Sequence, residues 1–107
     1  MIRIAALLGL LAGPALAMPD FSGGRYLCSR GGVIEAVYVN TAEGALAVLV
    51  VEGQQLVLVN EPAASGARYG WPSGGANYVW WTKGAEATLY WREAGEEQVL
   101  ETCSPME

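Results

Sequence analysis

The chain of 107 residues contains no histidine, a single lysine and only two cysteines. Without histidine, Ser-His-Asp and Cys-His catalysis and the usual mixed zinc sites are excluded. Basic residues are also scarce, because 6 Lys and Arg stand against 11 Asp and Glu. This acidic balance disfavours a nucleic-acid backbone as partner and favours a basic protein, since opposite charge speeds encounter. No motif for a metal or cofactor is present, so we expect neither.

The first 17 residues, MIRIAALLGLLAGPALA, have the pattern of a secretory signal peptide. One positive charge at Arg3 precedes an apolar run over residues 4–11, and the small-residue ending Ala-Leu-Ala predicts cleavage after Ala17. A transmembrane anchor is the alternative, but the run is interrupted by Gly13-Pro14 and is short for a bilayer. We therefore expect an exported protein.

Cleavage would leave 90 residues with a net charge of −6, because it removes 17 residues and one arginine. A domain of this size buries only about 60% of its unfolded surface and often needs a covalent link. Cys28 and Cys103 lie near its two ends, and a pair of cysteines in an exported protein indicates a disulfide, two separate buried thiols being the alternative. Cys28 lies too far behind the apolar run to be a lipoprotein cysteine, so we expect a soluble mature protein with no stable membrane anchor.

Strand patterns recur along the rest of the chain, and no helix is predicted. We predict a flexible lead over residues 18–24 and one all-β domain over residues 25–107. Glu52-Gly53 is typical of a tight hairpin, and residues 86–91 alternate in polarity like a half-buried strand. The predicted strands cover residues 33–40, 45–51, 54–60, 77–82, 86–91 and 98–103. Seven or eight short strands indicate a small antiparallel barrel or a sandwich, and closure into a barrel would remove edges that invite pairing.

Residues 61–84, EPAASGARYGWPSGGANYVWWTKG, form a Gly- and Pro-rich segment with many aromatic residues. Ser65 and Lys83 each lie at a loop, and we expect these loops to share one rim, where Lys83 and Arg68 would make a positive tip on a negative body. The alternatives are a simple Ser-Gly turn and a solvated lysine. Trp80 and Trp81 are adjacent, so one of them is predicted to point out of the core.

The motifs ASGARY (64–69) and YVWWTKGAEATLYW (78–91), between the two cysteines, resemble the MliC/PliC family of bacterial inhibitors of c-type lysozyme. The resemblance covers Tyr26 to Cys103 and implies an antiparallel barrel of eight strands without enzymatic activity. Members of that family insert a loop into the lysozyme cleft, where a serine and a lysine approach the two catalytic carboxyl groups. The matching residues here are Ser65 and Lys83. In lacking a lipid-bearing cysteine, the chain resembles the periplasmic branch of the family. The segment 70–77 is longer than is usual for the family.

The resemblance and the loop pattern together define a predicted lysozyme-binding site, in which Gly66 and Tyr69 give shape and support. Its residues are Ser65, Gly66, Arg68, Tyr69, Trp71, Thr82 and Lys83. An ammonium 4 Å from an ionised carboxylate is attracted by about 4 kcal/mol at an effective dielectric constant of 20, before desolvation. Three other functions stay open: a peptidoglycan-binding module that uses exposed tryptophans, a small-ligand barrel, and an enzyme with a Ser-Lys dyad.

Overall fold

The structure is a computed structural model and describes residues 20–106. The predicted signal peptide and its cleavage site lie outside these residues. None of the described residues forms a helix long and apolar enough to cross a bilayer. The described chain contains eight strands: β1 Asp20–Cys28, β2 Val33–Thr41, β3 Gly44–Val51, β4 Gln54–Glu61, β5 Ala67–Gly70, β6 Asn77–Lys83, β7 Glu86–Glu93 and β8 Glu96–Pro105.

The strands pair antiparallel in chain order, and β8 returns to pair with β1, which closes the barrel. This confirms the predicted all-β fold and decides for a barrel over a sandwich. Glu52 and Gly53 both have positive φ angles, 49° and 80°, as a two-residue type I′ turn requires, and this confirms the predicted hairpin between β3 and β4.

The seam between β1 and β8 has only three residue pairs, as few as the pairing of β4 with β5. Cys28 lies directly opposite Cys103 in this seam, and the two form the predicted disulfide across a sequence separation of 75 residues. In the chain-entropy model a loop of this length stabilises the folded state by about 4 kcal/mol. The covalent link therefore secures one of the two pairings in the barrel with the fewest residue pairs.

The interior is organised around Trp80, which is fully buried. Its indole N–H donates a hydrogen bond to the hydroxyl of Tyr38 at 2.8 Å, and the hydroxyls of Tyr38 and Tyr26 are also 2.8 Å apart. Burial raises the pKa of Tyr38, so the hydroxyl stays neutral. The neighbouring Trp81 lies on the outer face of β6, where its ring contacts Arg68 and Lys83, and this confirms the prediction for this pair.

The prediction of a flexible lead over residues 18–24 was wrong for residues 20–24, which form the first half of β1 and pair with residues 36–40 of β2. Two glycines hid this strand, because glycine has low strand propensity. At Gly23 the two strands approach so closely that a Cβ atom would overlap the carbonyl oxygen of Ala36, so the glycine is part of the pairing. Residues 18 and 19 lie outside the described part of the chain.

The segment 61–84 is less of a loop than the sequence indicates, because it contains β5 and β6. The strand β5 has only four residues, which explains why the pattern did not reveal it. It separates two exposed loops, residues 62–66 before it and residues 71–76 after it. These loops consequently lie at opposite rims of the barrel.

Candidate functional site

The rim that carries the loop 62–66 also carries the turn after β6. Ala67 pairs with Thr82 across β5 and β6, so Ser65 and Gly66 lie beside Lys83. Both Ser65 and Lys83 are exposed. The structure thus brings together the serine and the lysine that the sequence had placed on one rim.

Gly66 lets the two motifs approach each other. Its φ angle is +66°, and a Cβ atom here would overlap the carbonyl oxygen of Thr82 and lie 2.9 Å from Cγ of Lys83. Only glycine adopts this geometry without strain or overlap. The hydroxyl of Thr82 donates a hydrogen bond to the carbonyl oxygen of Ala67 at 3.3 Å and holds the same junction. Gly66 and Thr82 therefore support the close approach of the two motifs at this rim.

Trp81 connects the two motifs, and the sequence-based site did not include it. Its indole N–H donates a hydrogen bond to the carbonyl oxygen of Ser65 at 2.9 Å. The ammonium of Lys83 lies 4.2 Å from the centroid of the same ring. The signal available in the sequence was the spacing of two residues between Trp81 and Lys83, which puts both side chains on one face of β6.

The ammonium of Lys83 has no carboxylate within 4.0 Å among the described residues. Glu86, its cross-strand neighbour, accepts hydrogen bonds from the hydroxyl of Ser104 instead, at 3.1 Å to each carboxylate oxygen. The rim therefore presents an exposed cation on an aromatic face, and this cation can attract an anionic group of a partner.

Arg68 contradicts the predicted positive tip of two basic residues. Its side chain is only 13% exposed and forms ion pairs with Glu61 and Glu97. Its guanidinium also lies 5.0 Å from the centroid of the Trp81 ring. Because both carboxylates compensate its charge, the positive potential of this rim comes from Lys83 alone among the predicted site residues.

A four-residue ion cluster, Glu61, Arg68, Arg92 and Glu97, covers the outer face of the barrel beside Trp81. Arg92 donates to the two carboxylate oxygens of Glu61 at 3.0 and 2.7 Å. These hydrogen bonds lower the pKa of Glu61 and raise the pKa of Arg92. The cluster lies directly over Gly70, where a Cβ atom would overlap the Glu61 carboxylate.

Two residues of the predicted site are not on the exposed rim. Tyr69 points into the barrel, is 6% exposed and has its ring centroid 5.7 Å from that of Tyr38. Burial raises its pKa. Trp71 follows β5 and lies with the segment 70–77 at the opposite rim, half-buried against the core. The structure therefore gives Tyr69 a supporting position and separates Trp71 from Ser65 and Lys83.

The fold and this rim define a small, disulfide-closed antiparallel barrel that holds the Ser65 and Lys83 motifs around one indole. The family profile described as "MliC: Membrane-bound lysozyme-inhibitor of c-type lysozyme" matches residues 26–98. The chain belongs to this family.

Relatives support the assignment. The chain is 41% identical over 81 residues to a Pseudomonas aeruginosa protein and 39% identical over 71 residues to a Cupriavidus necator protein, both named "Membrane-bound lysozyme inhibitor of C-type lysozyme". The alignments cover 75% and 66% of this chain and 61% and 54% of those relatives. The chain thus spans less than two thirds of their length. Their names do not confirm the predicted periplasmic, anchor-free branch, which stays a prediction.

A solved structure, described as Pseudomonas aeruginosa MliC in complex with hen egg white lysozyme, shares the fold. The TM-score is 0.63 at 35% sequence identity, and the match covers 87% of this chain and 89% of that one. The lysozyme in that complex is a partner of the Pseudomonas protein.

Proposed function

We propose that this protein inhibits c-type lysozyme by binding in the active-site cleft through the rim that carries Ser65 and Lys83. The observation that carries the proposal is the meeting of these two residues, distant in the sequence, at the single indole of Trp81. The names of the relatives and the partner in the similar complex support lysozyme as the target. The protein acts as a plug and performs no reaction itself.

The chemistry of the target suits this rim. A retaining glycosidase places two carboxyl groups about 5 Å apart, one protonated and one ionised. An ammonium between them attracts the ionised group, and a serine hydroxyl donates a hydrogen bond without adding charge. Lys83 has its charge available for this role, and Ser65 is exposed beside it. Inhibition follows mainly from occupation of the sugar site.

Net charge assists the encounter with a basic enzyme. The chain carries a formal charge of −5, while the rim itself presents the cation of Lys83. Long-range attraction acts on the body of the barrel and accelerates association at low salt. The local cation then selects the acidic cleft over the rest of the enzyme surface.

The test uses the oxidised protein from residue 18 onward and hen egg white lysozyme. Its readout is the initial rate of turbidity loss of a bacterial cell-wall suspension as the protein is titrated. We expect saturable inhibition with one protein bound per enzyme, and co-elution of the two on a sizing column. The doubly substituted S65A/K83A protein is the matched control and should inhibit much less. Full enzyme activity at micromolar wild-type protein would refute the proposal.

The cellular location is also part of the proposal: the protein is exported to the periplasm and remains soluble there. Both cysteines of the sequence are used in the disulfide, so neither is available for a thioether-linked lipid. Release of the protein by osmotic shock without detergent is the expected result. Retention in the membrane fraction after a high-salt wash would show that this protein is anchored, as the names of its relatives state for them.

The alternative of a peptidoglycan-binding module with exposed tryptophans is not favoured. Each tryptophan is buried or half-buried. Trp81 faces Lys83 and Arg68, Trp80 is in the core, and Trp91 meets the ring of Tyr78 edge to face at 5.2 Å. Trp71 packs against the core, so none of the four tryptophans in the described chain is fully exposed for stacking on a sugar ring.

A further inference from the structure

We propose that Trp81 is a positioning residue for lysozyme binding, which holds the Ser65 loop and the Lys83 ammonium in their binding arrangement before the enzyme arrives. This inference rests on the proposed function and adds a residue to it. Trp81 is distinct from the serine and the lysine because it acts through both of them.

The contacts of the indole explain how one side chain orders both motifs. Its N–H donates a hydrogen bond to the carbonyl oxygen of Ser65 at 2.9 Å, and this bond links the loop 62–66 to β6. The ammonium of Lys83, at 4.2 Å from the ring centroid, lies well within the range of a cation–π interaction. An unrestrained lysine samples many rotamers, and ordering it on binding costs entropy. A lysine already held on a ring loses less, so preorganisation increases affinity.

The indole is itself held in place by residues of the two neighbouring strands, β5 and β7. The guanidinium of Arg68 lies 5.0 Å from the Trp81 ring centroid, and the ring of Tyr90 lies 6.3 Å away. Arg68 is in turn fixed by Glu61 and Glu97. The ion cluster thus fixes the arginine, the arginine contacts the tryptophan, and the tryptophan positions the rim.

Free protein provides the first test, and it requires no lysozyme. Aromatic rings shift the proton resonances of groups held over them, so the side-chain methylene protons of Lys83 should resonate upfield of their values in an unstructured peptide. Trp81→Leu should return these resonances to the unstructured values. Wild-type resonances at unstructured values would overturn the inference whatever the result of the inhibition assay.

Binding provides the second test. Trp81→Phe keeps a ring and loses the N–H donor, and we expect inhibition to weaken about threefold; Trp81→Leu loses both contacts, and we expect about tenfold. Trp91→Phe is the control, because Trp91 is a half-buried tryptophan near the opposite rim whose N–H donates to Glu93 at 3.1 Å. It should inhibit like the wild type. Thermal unfolding verifies that each variant is folded. If Trp81→Leu does not fold, Trp81→Phe is the informative variant.

A double-mutant cycle separates positioning from direct contact. If Trp81 acts through Lys83, the loss for Trp81→Leu combined with Lys83→Ala is smaller than the product of the two single losses. A combined loss equal to that product would mean that Trp81 does not act through Lys83, and would overturn the inference that it positions both motifs. Failure of the wild type to inhibit would refute the proposed function instead, while the resonances of Lys83 in the free protein would still report on the Trp81 contact.

Discussion

Lys83 and Glu86 are direct cross-strand neighbours, yet the carboxylate of Glu86 is bonded to Ser104 and not to the lysine. Cross-strand neighbours of opposite charge normally attract each other. By accepting hydrogen bonds from Ser104, the carboxylate is drawn toward β8 and away from the ammonium. The serine on β8 therefore helps to keep the cation of the rim available for a partner.

Ser104→Ala should weaken inhibition, because Glu86 is then free to pair with Lys83 and competes with the carboxylates of the enzyme. We expect a loss of about twofold to fivefold, since exposed ion pairs contribute up to about 1 kcal/mol. Stability should not change, because Ser104 is exposed. The measurement is the inhibition constant at low salt. The S104A/E86Q protein should recover, and a loss that persists in it would exclude Glu86 as the cause.

Lys83→Ala should weaken inhibition at least about thirtyfold, because truncating one side of a desolvated charge pair costs about 2 kcal/mol or more. Ser65→Ala should cost about fivefold, the value of one hydrogen bond. Both residues are exposed, so the midpoint of thermal unfolding should be nearly unchanged. Arg25→Ala, which removes an equal charge from the body of the barrel, is the control and should retain inhibition. Unfolding of both rim variants would show structural roles instead.

Gly66→Ala should reduce both stability and inhibition. A positive φ alone costs an alanine about 1 kcal/mol, and the new methyl group would also overlap the Thr82 carbonyl oxygen. Gly74 supplies the matched control, because a Cβ atom there meets nothing within 4 Å and the residue lies on the opposite rim. Urea unfolding and the turbidity assay measure the two effects. A stable Gly66→Ala protein with wild-type inhibition would contradict the role assigned to this glycine.

The hydrogen-bonded carboxylate of Glu61 leads us to predict that the folded protein loses stability in acid. The hydrogen bonds from Arg92 lower its pKa below the usual value of 4.5, so the carboxylate stabilises the fold above that pH. The contribution is lost as the pH falls through the lowered pKa of the folded state. Urea unfolding from pH 7 to pH 2 should show this decline. Glu61→Gln should be less stable at pH 7 and less dependent on pH below 4.5.

The control for this prediction is Glu35→Gln. Glu35 pairs with Arg25 at 3.8 Å, and both side chains are more than half exposed, so the pair contributes little. This variant should keep the wild-type pH profile of stability. If the pH profile of Glu61→Gln were identical to that of the wild type, the ion cluster would not contribute to acid sensitivity.

Much of the barrel is readable from the sequence, because strands with a regular apolar pattern reveal themselves. The strands β2, β3, β4, β6 and β7 begin within one residue of the predicted positions. The strand β1 was missed since its strand signal is interrupted by Gly23 and Gly24, and β5 was missed since four residues hold too little pattern. In both cases pairing with a neighbouring strand, and not local propensity, determines the structure.

The serine and the lysine of the site were predictable from the sequence, but the tryptophan that connects them was not. The motifs indicated Ser65 and Lys83, and the shared rim follows from the hairpin order. The charge state of the rim was not predictable, because the partners of Arg68 are Glu61 and Glu97, and Glu97 lies 29 residues away in the sequence. The contacts of Trp81 depend on side-chain packing across two strands, which no local pattern encodes.

The bond between Cys28 and Cys103 ties barrel closure to the redox conditions around the chain. A reducing compartment leaves the two cysteines as thiols, and the three-pair seam then has to hold without its covalent link. A polypeptide in that condition is easier to keep extended for passage through a narrow translocation channel. Under the proposed export, oxidation outside the cytoplasm would complete the ring, so the barrel would be covalently closed only in the compartment proposed for its target.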